Sequence, residues 1–456
     1  MTECSDARLE SKAPDGRTFT AAFDGGSIST DGGVVLLRAV EERCRILERF
    51  GGCFVDHRDP TRVQHTVTQL AAQRVLGIAL GYEDLCDHDV LRSDPLLTSV
   101  VGKRDRRSET LASSVTLGRI ENGAPGLSRD DRYRKITLDY GKVDHLLIDL
   151  FLEAHESPPE EIVLDLDATD AKIHGKQEGR FFHGYYDEYC YLPLYIFAGD
   201  HVLGARLRRA NADGAAGSVE ELERIVDRIR EAWPETRVVV RADSGFCREW
   251  LLSWCEESGV DYVIGIARNQ RLLTQLADSM LLAKNEHDRT NRPARIFEDL
   301  EYRTLDTWSR ARRVVGKAEH LRKGANPRFI VTSFDLERWP ARELYEDLYC
   351  ARGEMENRIK EQQLDLFADR VSCHWERGNQ TRMYFSAIAY AMLEALRRLG
   401  LAGTDMARAQ CGTIRLRLLK IGARIRSTAR RIWIHLSEHH AWRETFLVAF
   451  ERLRPA

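Results

Sequence analysis

The stretch EIVLDLDAT, residues 161–169, decides the fold class of this chain. Apolar side chains alternate from Ile162 to Leu166, which predicts a β-strand with one buried face. Asp165 and Asp167 stand on the opposite face, and Asp167 lies where the strand ends. The segment therefore predicts a strand that packs one face against a core and brings a carboxylate to the edge of a sheet.

The segments after residue 190 continue the pattern of a mixed α/β sheet. Two apolar strands separated by a short turn come first, followed by an amphipathic helix, a strand, a second helix and a last buried strand. In order, they are YLPLYIFAGD (191–200), HVLGARLR (201–208), SVEELERIVDRIREAW (218–233), RVVVRADSGF (237–246), CREWLLSWCEESG (247–259) and DYVIGIAR (261–268). This order is typical of an RNase H-like fold. We predict an α/β protein in which an RNase H-like mixed sheet is flanked by helices.

Five regions are predicted along the 456 residues. The first is mainly helical, and in HTVTQLAAQRVLGIALG the predicted helix ends at Gly81. Hairpin-like pieces between the last core strand and the next long helix predict a β-rich insertion. The regions are an N-terminal domain (1–135), the first part of the core (136–270), the insertion (271–338), core helices that carry a candidate Glu (339–402) and a basic C-terminal region (403–456).

Composition narrows the classes of protein to consider. The net charge of −3 excludes a global basic field, so any contact with nucleic acid has to come from local patches. The N-terminus lacks the apolar segment of a signal peptide, and no run of about 18 apolar residues predicts a membrane span. The ten cysteines are scattered without a C-x-x-C pair, which predicts reduced thiols and a cytoplasmic location rather than a Cys-based zinc site.

Three carboxylates are the candidate catalytic residues. Asp167 and Asp243 follow apolar strands, and Glu356 lies on the predicted helix ELYEDLYCARGEMENRIKEQQ, residues 343–363. Strand ends of α/β sheets border the crevices in which ligands bind. Carboxylates without His or Cys neighbours suit Mg²⁺ or Mn²⁺, and two such ions roughly 3.5–4 Å apart can carry out a phosphodiester displacement. Arg352, one turn from Glu356, is suited to pairing with a phosphate.

Each of these residues also has a structural interpretation. An Asp at a strand end is commonly a turn or helix cap, and a helical Glu is commonly solvated. Tyr349, on the face of Arg352 and Glu356, is a candidate DNA contact, and the edge of a core is its alternative. Asp165 and Asp170 compete with Asp167 for the first position.

Jointly and in order, the three motifs resemble those of the DDE-type transposases of bacterial insertion sequences, the group with a β insertion in an RNase H-like core. LDLDATDAKIHGKQEG is similar to the segment that carries the first Asp, and its Asp-Ala-Thr favours Asp167. RADSGF is similar to the second segment, and LYCARGEMENRIKEQQLDL to the Tyr–Arg–Glu–Lys helix. The family places Lys seven residues after the Glu, where this chain has Gln363, so Lys360 is the candidate for the phosphate contact.

The resemblance implies cut-and-paste transposition of DNA. Metal-dependent cleavage would free the element ends, and the 3′-hydroxyls would then attack target DNA, with hairpin formation as one route. It also implies a homodimer on double-stranded DNA, associated with a bacterial nucleoid. In this family a tryptophan of the insertion stacks on a flipped base, and Trp308 is the candidate here. The alternative for Trp308 is a core residue of the insertion.

Two further segments are candidates for DNA contact. In LASSVTLGRIENG, the side chains of Ser113, Thr116 and Arg119 recur every three residues, as on the second helix of a helix-turn-helix, and the N-terminal region is accordingly a DNA-binding or dimerisation candidate. A bundle helix is the alternative. The C-terminal stretch TIRLRLLKIGARIRSTARRIWIHLSE alternates basic and apolar residues without an acid until its end, which suits phosphate contacts. Its candidate residues are Arg424, Arg426, Arg430 and Arg431, and a solvated basic edge is the alternative.

Other functions remain to be weighed against transposition. An RNase H-like nuclease that cuts without joining would use the same three carboxylates. A non-catalytic DNA-binding derivative would not need to retain them. A glycosidase with paired carboxylates is a third candidate, but it leaves Arg352 unexplained.

Overall fold

The computed structural model describes residues 8–102, 110–128, 130–428 and 430–454. The prediction about the N-terminus rests partly on the first seven residues, which lie outside this description. None of the helices in the described ranges combines the length and the apolar character that a membrane span requires. The chain divides into two compact units: one comprises residues 1–52, 58–120 and 395–456, and the other residues 53–57 and 121–394.

The second unit is built on a mixed sheet of nine strands within the described residues. In chain order the strands are β1 (Glu161–Ala168), β2 (Leu194–Ala198), β3 (His201–Arg206), β4 (Arg237–Ala242), β5 (Asp261–Ile266), β6 (Ala294–Tyr302), β7 (Arg312–Leu321), β8 (Gly324–Ala325) and β9 (Arg328–Thr332). Their order across the sheet is β3-β2-β1-β4-β5-β9-β7-β6, and β8 pairs with β7. Strands β1, β4 and β5 are parallel, whereas β2, β3 and β9 run antiparallel to their neighbours. The predicted RNase H-like sheet is confirmed, and the sheet extends beyond β5.

Helices cover the sheet because each presents an apolar stripe to it. Ser218–Ala232 buries Leu222, Ile225, Val226 and Ile229, spaced as one face of a helix. These side chains join one continuous core with apolar residues of β1, β2, β4 and β5. The other helical segments of this unit are Tyr140–Glu153, Ser244–Phe246, Glu249–Glu257, Gln270–Gln275, Ala277–Thr290 and Glu376–Ala395.

The predicted β-rich insertion continues the same sheet. Strand β9 pairs with β5 antiparallel, so β7 and β6 add to the far edge of the RNase H-like part. The helix Ala277–Thr290 packs against β6 and β7. The insertion and the first part of the core therefore share one hydrogen-bonded framework and one hydrophobic core.

Trp308 is a core residue of this insertion. Its side chain is only 4% exposed and belongs to the main hydrophobic cluster. Its ring meets that of Tyr302 edge-on at 5.7 Å, and the Arg312 guanidinium lies 5.3 Å from its centre. Arg312 is itself fixed by Glu249 and Glu256, at 2.7 Å each. A base can stack only on an accessible ring, so this position favours the core alternative for Trp308 over the predicted stacking role.

The segment that carries Glu356 is a helix of uneven pitch. It runs through Ala341–Glu343, Leu344–Tyr349, Cys350–Arg352, Gly353–Lys360 and Glu361–Asp365. Leu344–Tyr349 and Glu361–Asp365 are wide π-helical turns, and Cys350–Arg352 is a tight 3₁₀ turn. Regular spacing would have placed Tyr349, Arg352 and Glu356 on one α-helical stripe. The changes of pitch alter that register next to the site, where such turns frequently occur.

Short strands complete the second unit. Phe54–Asp56 pairs with Ile136–Leu138. A small three-stranded sheet follows β1 in the sequence and consists of Ala171–Lys172, Phe181–His183 and Glu188–Tyr191.

The first unit is mainly helical, as predicted for the N-terminal region. Val67–Leu80 begins at a capping box formed by Thr66 and Gln69 and ends at Gly81, whose φ of 94° is the left-handed conformation predicted from the sequence. The other helical segments are Val34–Cys44, Ile46–Gly51, Pro60–Arg62, Asp87–Leu91, Pro95–Val100, Ser114–Glu121, Leu396–Gly400, Cys411–Ile414, Arg415–Leu419 and Arg443–Leu453. Its strands are Leu9–Lys12, Thr18–Ala21, Ile28–Ser29, Ala423–Ser427 and Ile432–Leu436.

Candidate active site

Two neighbouring parallel strands bring the first two carboxylates together. In the register of β1 and β4, Arg241 is opposite Asp165 and Ala242 is opposite Leu166. Asp167 and Asp243 are the next residues of each strand. They therefore leave the sheet side by side at its carboxyl edge, where α/β sheets form their ligand crevices.

Asp243 also shapes the loop that follows it. Its Oδ1 accepts a hydrogen bond from the Gly245 amide at 2.8 Å, which caps the short turn Ser244–Phe246. The turn-cap interpretation is therefore correct for one oxygen. The other oxygen, Oδ2, faces the site and lies 3.9 Å from an Arg352 nitrogen.

Arg352 lies among all three candidate carboxylates. One guanidinium nitrogen is 3.3 Å from Asp167 Oδ1 and 3.9 Å from Asp243 Oδ2, and the other is 3.2 Å from Glu356 Oε1. Because the two aspartate oxygens share one nitrogen, they are less than about 8 Å apart, in the range for a shared pair of ions. The fold therefore gathers three acids that are widely separated in the sequence around one cation.

The cluster carries more negative than positive charge. Burial is the main reason that the pKa of Asp167 is raised to about 6; Arg352 lowers this pKa, and Asp243 and Glu356 contribute to the rise. The group is thus still mainly ionised at pH 7, as metal ligation requires. Three carboxylates against one guanidinium leave an all-oxygen donor set with surplus negative charge. These residues fit divalent Mg²⁺ or Mn²⁺.

Asp165 is occupied elsewhere, which resolves its competition with Asp167. Arg241 donates to both of its oxygens, at 2.5 and 2.7 Å, in a buried bidentate pair. Burial raises the pKa of Asp165, whereas the Arg241 contact lowers it. The third donated bond of Arg241 goes to the carbonyl of Leu348, at 2.5 Å. Asp165 is therefore a structural residue, which links β1, β4 and the Glu356 segment.

Tyr349 fills the space between that segment and β5. A Cβ on Gly265 would lie 2.7 Å from the Tyr349 hydroxyl and 2.9 Å from the Ser244 amide, so only glycine fits there. Burial raises the pKa of Tyr349. The hydroxyl is thus wedged behind the loop of Asp243, as the core-edge alternative for Tyr349 requires.

A cavity of about 520 Å³ opens in front of the three carboxylates. Lys360 and Gln363 line it from the helix. Gln363 donates to the Asp170 carbonyl at 3.0 Å and therefore holds the loop after Asp167. The Lys360 side chain is exposed, which leaves it accessible to a phosphate.

Three aromatic side chains that also line the cavity are not among the site residues predicted from the sequence. We call His183, Tyr185 and Tyr186 the aromatic rim of the cavity. The Tyr185 ring is 85% exposed and meets Tyr186 edge-on at 5.1 Å. Their signal in the sequence is HGYYDEY, a tight run of aromatics directly after the first catalytic segment.

The remaining predicted DNA contacts belong to the other unit. Ser113 and Thr116 lie 3.4 Å apart through their hydroxyls at the start of the helix Ser114–Glu121, and the Arg119 side chain is exposed. In the basic C-terminal stretch, the side chains of Arg424, Arg426, Arg430 and Arg431 are exposed. The roles of these residues in DNA binding remain predictions.

Replacing Asp165 by Asn should lower the free energy of unfolding by about 3–5 kcal/mol, because it leaves the Arg241 charge buried without its partner. The double variant Asp165→Leu/Arg241→Met should recover most of this loss, since it removes both charges. Urea unfolding at pH 7 measures both effects. Wild-type stability of Asp165→Asn would show that the pair is not structural.

A known protein family matches nearly the whole chain. A family model described as Transposase DDE domain group 1 matches residues 12–456. No match is found among curated protein sequences. Among solved structures, the chain is similar to the piggyBac transposase in its synaptic complex with hairpin DNA, with 11% identity and a TM-score of 0.40, over 85% of this chain and 79% of that chain.

Members of the matched family are DNA-cleaving and strand-transferring enzymes that generally use divalent metal ions. The match spans nearly the whole chain. The chain belongs to the DDE-domain transposase family and is a DNA transposase.

Proposed function

We propose that this transposase works by cut-and-paste transposition, with Asp167, Asp243 and Glu356 as the catalytic residues. The observation that carries the proposal is the placement of one guanidinium within 3.9 Å of all three carboxylates. A shared cation position at the edge of a sheet is what a metal-dependent phosphodiester enzyme requires. Two Mg²⁺ or Mn²⁺ ions, held by these three carboxylates, fit the donor set.

The chemistry that divalent ions supply at such a site is activation of the attacking oxygen and stabilisation of the leaving oxygen. The chain's own residues position the DNA. Arg352 keeps the three acids assembled, and its buried Nε has no hydrogen-bond partner among the described residues. The charge of the Arg352 guanidinium also suits pairing with a phosphate of the strand being cut. Lys360, exposed on the cavity wall, adds a second phosphate contact.

The aromatic rim takes the role that Trp308 is too buried to perform. Tyr185 is highly exposed beside the carboxylates, whereas Trp308 is 4% exposed. Stacking on an aromatic ring returns roughly 1–3 kcal/mol for each base, enough to offset much of the cost of extruding one from a duplex. We therefore assign base stacking during strand transfer to Tyr185.

Four exposed arginines of the C-terminal region, Arg424, Arg426, Arg430 and Arg431, lie on and beside the hairpin of a three-stranded sheet whose third strand is Ile28–Ser29. Ala423–Ser427 pairs antiparallel with Ile432–Leu436, and Arg426 is opposite Trp433. Arg424 and Arg426 alternate with buried residues, so both project from one exposed face. We call this surface the basic ribbon and assign it to contacts with DNA phosphates.

Transposition requires two element ends to be handled together, so we propose a homodimer on paired ends, with Ser113, Thr116 and Arg119 as further DNA contacts. A cytoplasmic, nucleoid-associated location in a bacterium follows from a DNA substrate and the resemblance to insertion-sequence enzymes. Sedimentation of the protein with and without end DNA measures the stoichiometry.

The proposed reaction is tested with DNA carrying free 3′-hydroxyl ends and a target plasmid. Joined products support strand transfer. Cleavage without joining would favour the alternative, an RNase H-like nuclease that only cuts. DNA binding without either product would favour a non-catalytic derivative.

Asp167→Asn, Asp243→Asn and Glu356→Gln should each lower cleavage by at least about 100-fold, because loss of a direct ligand should exceed the 10–100-fold effect of losing a supporting contact. DNA binding should persist, because the phosphate contacts remain. Glu354→Gln, at an exposed position of the same helix, is the matched control and should cleave normally. Near wild-type cleavage by any triad variant would remove that residue from the site.

Tyr185→Ala should spare first-strand nicking and slow the later, strand-bending step, so nicked DNA accumulates. Tyr185→Phe should behave as wild type because it keeps the ring. Trp308→Ala should cost about 3–5 kcal/mol of stability and depress all steps together. Time courses of nicked and fully cut DNA, beside thermal melts, measure this. Equal loss of both products with a lowered melting temperature in Tyr185→Ala would refute the assignment.

Replacing Arg424, Arg426, Arg430 and Arg431 by Gln should weaken DNA binding and reduce the salt dependence by roughly one unit of slope for each lost phosphate contact. Arg38→Gln/Arg289→Gln removes exposed arginines outside the basic ribbon and should leave the slope unchanged. Binding isotherms at several salt concentrations give the slope. An unchanged slope in this variant would show that the basic ribbon is a solvated edge without phosphate contacts.

A further inference from the structure

A second cluster of ligand-type side chains lies in the insertion, outside the site of the three carboxylates. His287, Asp288 and His320 each offer one ligand atom, and these atoms all lie within 4.8 Å of one another. No other group of three His, Cys, Asp or Glu residues in the described ranges meets this condition. His287 and Asp288 end the helix Ala277–Thr290, and His320 is on β7.

The ring of His287 is already oriented for metal binding. Its Nδ1 lies 2.7 Å from the carbonyl of Arg292, and a carbonyl can only accept, so Nδ1 carries the proton. The lone pair is therefore on Nε2. Asn291, with a φ of 51°, reverses the chain at the helix end and brings that carbonyl back to the ring. Metal-binding histidines commonly have their second nitrogen fixed in this way.

His320 and Asp288 complete the cluster from either side. The backbone of His320 is held between two strands, because it pairs with Ala294 of β6 and Ala325 of β8. Its ring centre lies 5.0 Å from that of His287. In the described part of the chain, neither the His320 ring nor the Asp288 carboxylate has a hydrogen bond or ion pair to occupy it.

The ligand set selects a different class of metal from the catalytic site. Two imidazole nitrogens and one carboxylate suit Zn²⁺ and neighbouring divalent transition metals, whereas Mg²⁺ prefers oxygen alone. Zn–N bonds of about 2.0–2.1 Å place two ligands of one ion within roughly 4 Å, close to the observed spacing. The histidines are half-buried and Asp288 is exposed, which leaves a coordination position for water.

We propose that His287, Asp288 and His320 form a zinc-class metal site that ties the end of the helix Ala277–Thr290 to β7. Both elements belong to the sheet extension that carries the insertion. Bound metal stabilises this part of the fold by cross-linking a helix terminus to a strand. The site is separate from the catalytic carboxylates and does not depend on the proposed reaction.

The test is titration of the full chain with Zn²⁺ in the Asp167→Asn/Glu356→Gln background, in which the catalytic carboxylates no longer compete. We expect one equivalent to bind and the melting temperature to rise with Zn²⁺ but not with Mg²⁺. His287→Ala and His320→Ala should each raise the Kd at least about tenfold, the range of losses seen when a metal site is disturbed. Co²⁺ in place of Zn²⁺ should give the visible absorption of a low-coordinate histidine site.

The controls separate metal binding from folding. His145→Ala removes an exposed histidine from another helix and should bind as the parent does. Asp288→Asn changes only a surface carboxylate, and should weaken binding while the melting temperature without metal stays unchanged. Absence of a stoichiometric equivalent in the parent, or unaltered affinity in both histidine variants, would overturn the proposal.

Discussion

The active site depends on one buried ion pair that has no chemical task of its own. Arg241 holds both oxygens of Asp165 and the carbonyl of Leu348. It thereby fixes the relative positions of the two strands that end in Asp167 and Asp243 and of the segment that leads to Glu356. Burying two charges is costly, and a buried pair is rarely retained for stability alone. Here the hydrogen bonds of Arg241 set the spacing among β1, β4 and the Glu356 segment. Apolar packing alone would fix this spacing less strictly.

A second arginine, Arg352, lies among the three candidate carboxylates. Without a cation among them, Asp167, Asp243 and Glu356 would repel one another at this distance. Arg352 offsets part of that repulsion, while the surplus negative charge keeps the cluster attractive to divalent ions. The same guanidinium thus holds the three acids together and still leaves enough negative charge to attract metal ions. Wide and tight helical turns directly before Arg352 set where it emerges.

The fold could be predicted from the sequence because its signals are local. Strict alternation in β1, the hairpin of β2 and β3 and the amphipathic helix Ser218–Ala232 each lie within one short window, and the order of elements fixes the sheet. The candidate aspartates Asp167 and Asp243 followed from their positions at strand ends, and Glu356 from its predicted helix. The function of Asp165 could not be predicted, because Asp165 and Asp167 lie on the same face of one strand. The partner of Asp165, Arg241, is also far away in the sequence. The burial of Trp308 likewise depends on contacts with distant residues, and changes of helix pitch leave no pattern in residue spacing.

Because the insertion extends the catalytic sheet, it also disfavours aggregation through pairing of sheet edges. In a bare RNase H-like sheet, β5 would be a free edge, with unpaired amides and carbonyls that can template pairing with another chain. Strand β9 covers that edge, and the outermost position passes to β6. Strand β6 carries Arg295, Glu298, Asp299 and Glu301, a density of charge that disfavours the docking of a further strand. The insertion thus gives the sheet a charged edge strand, which disfavours aggregation through strand addition.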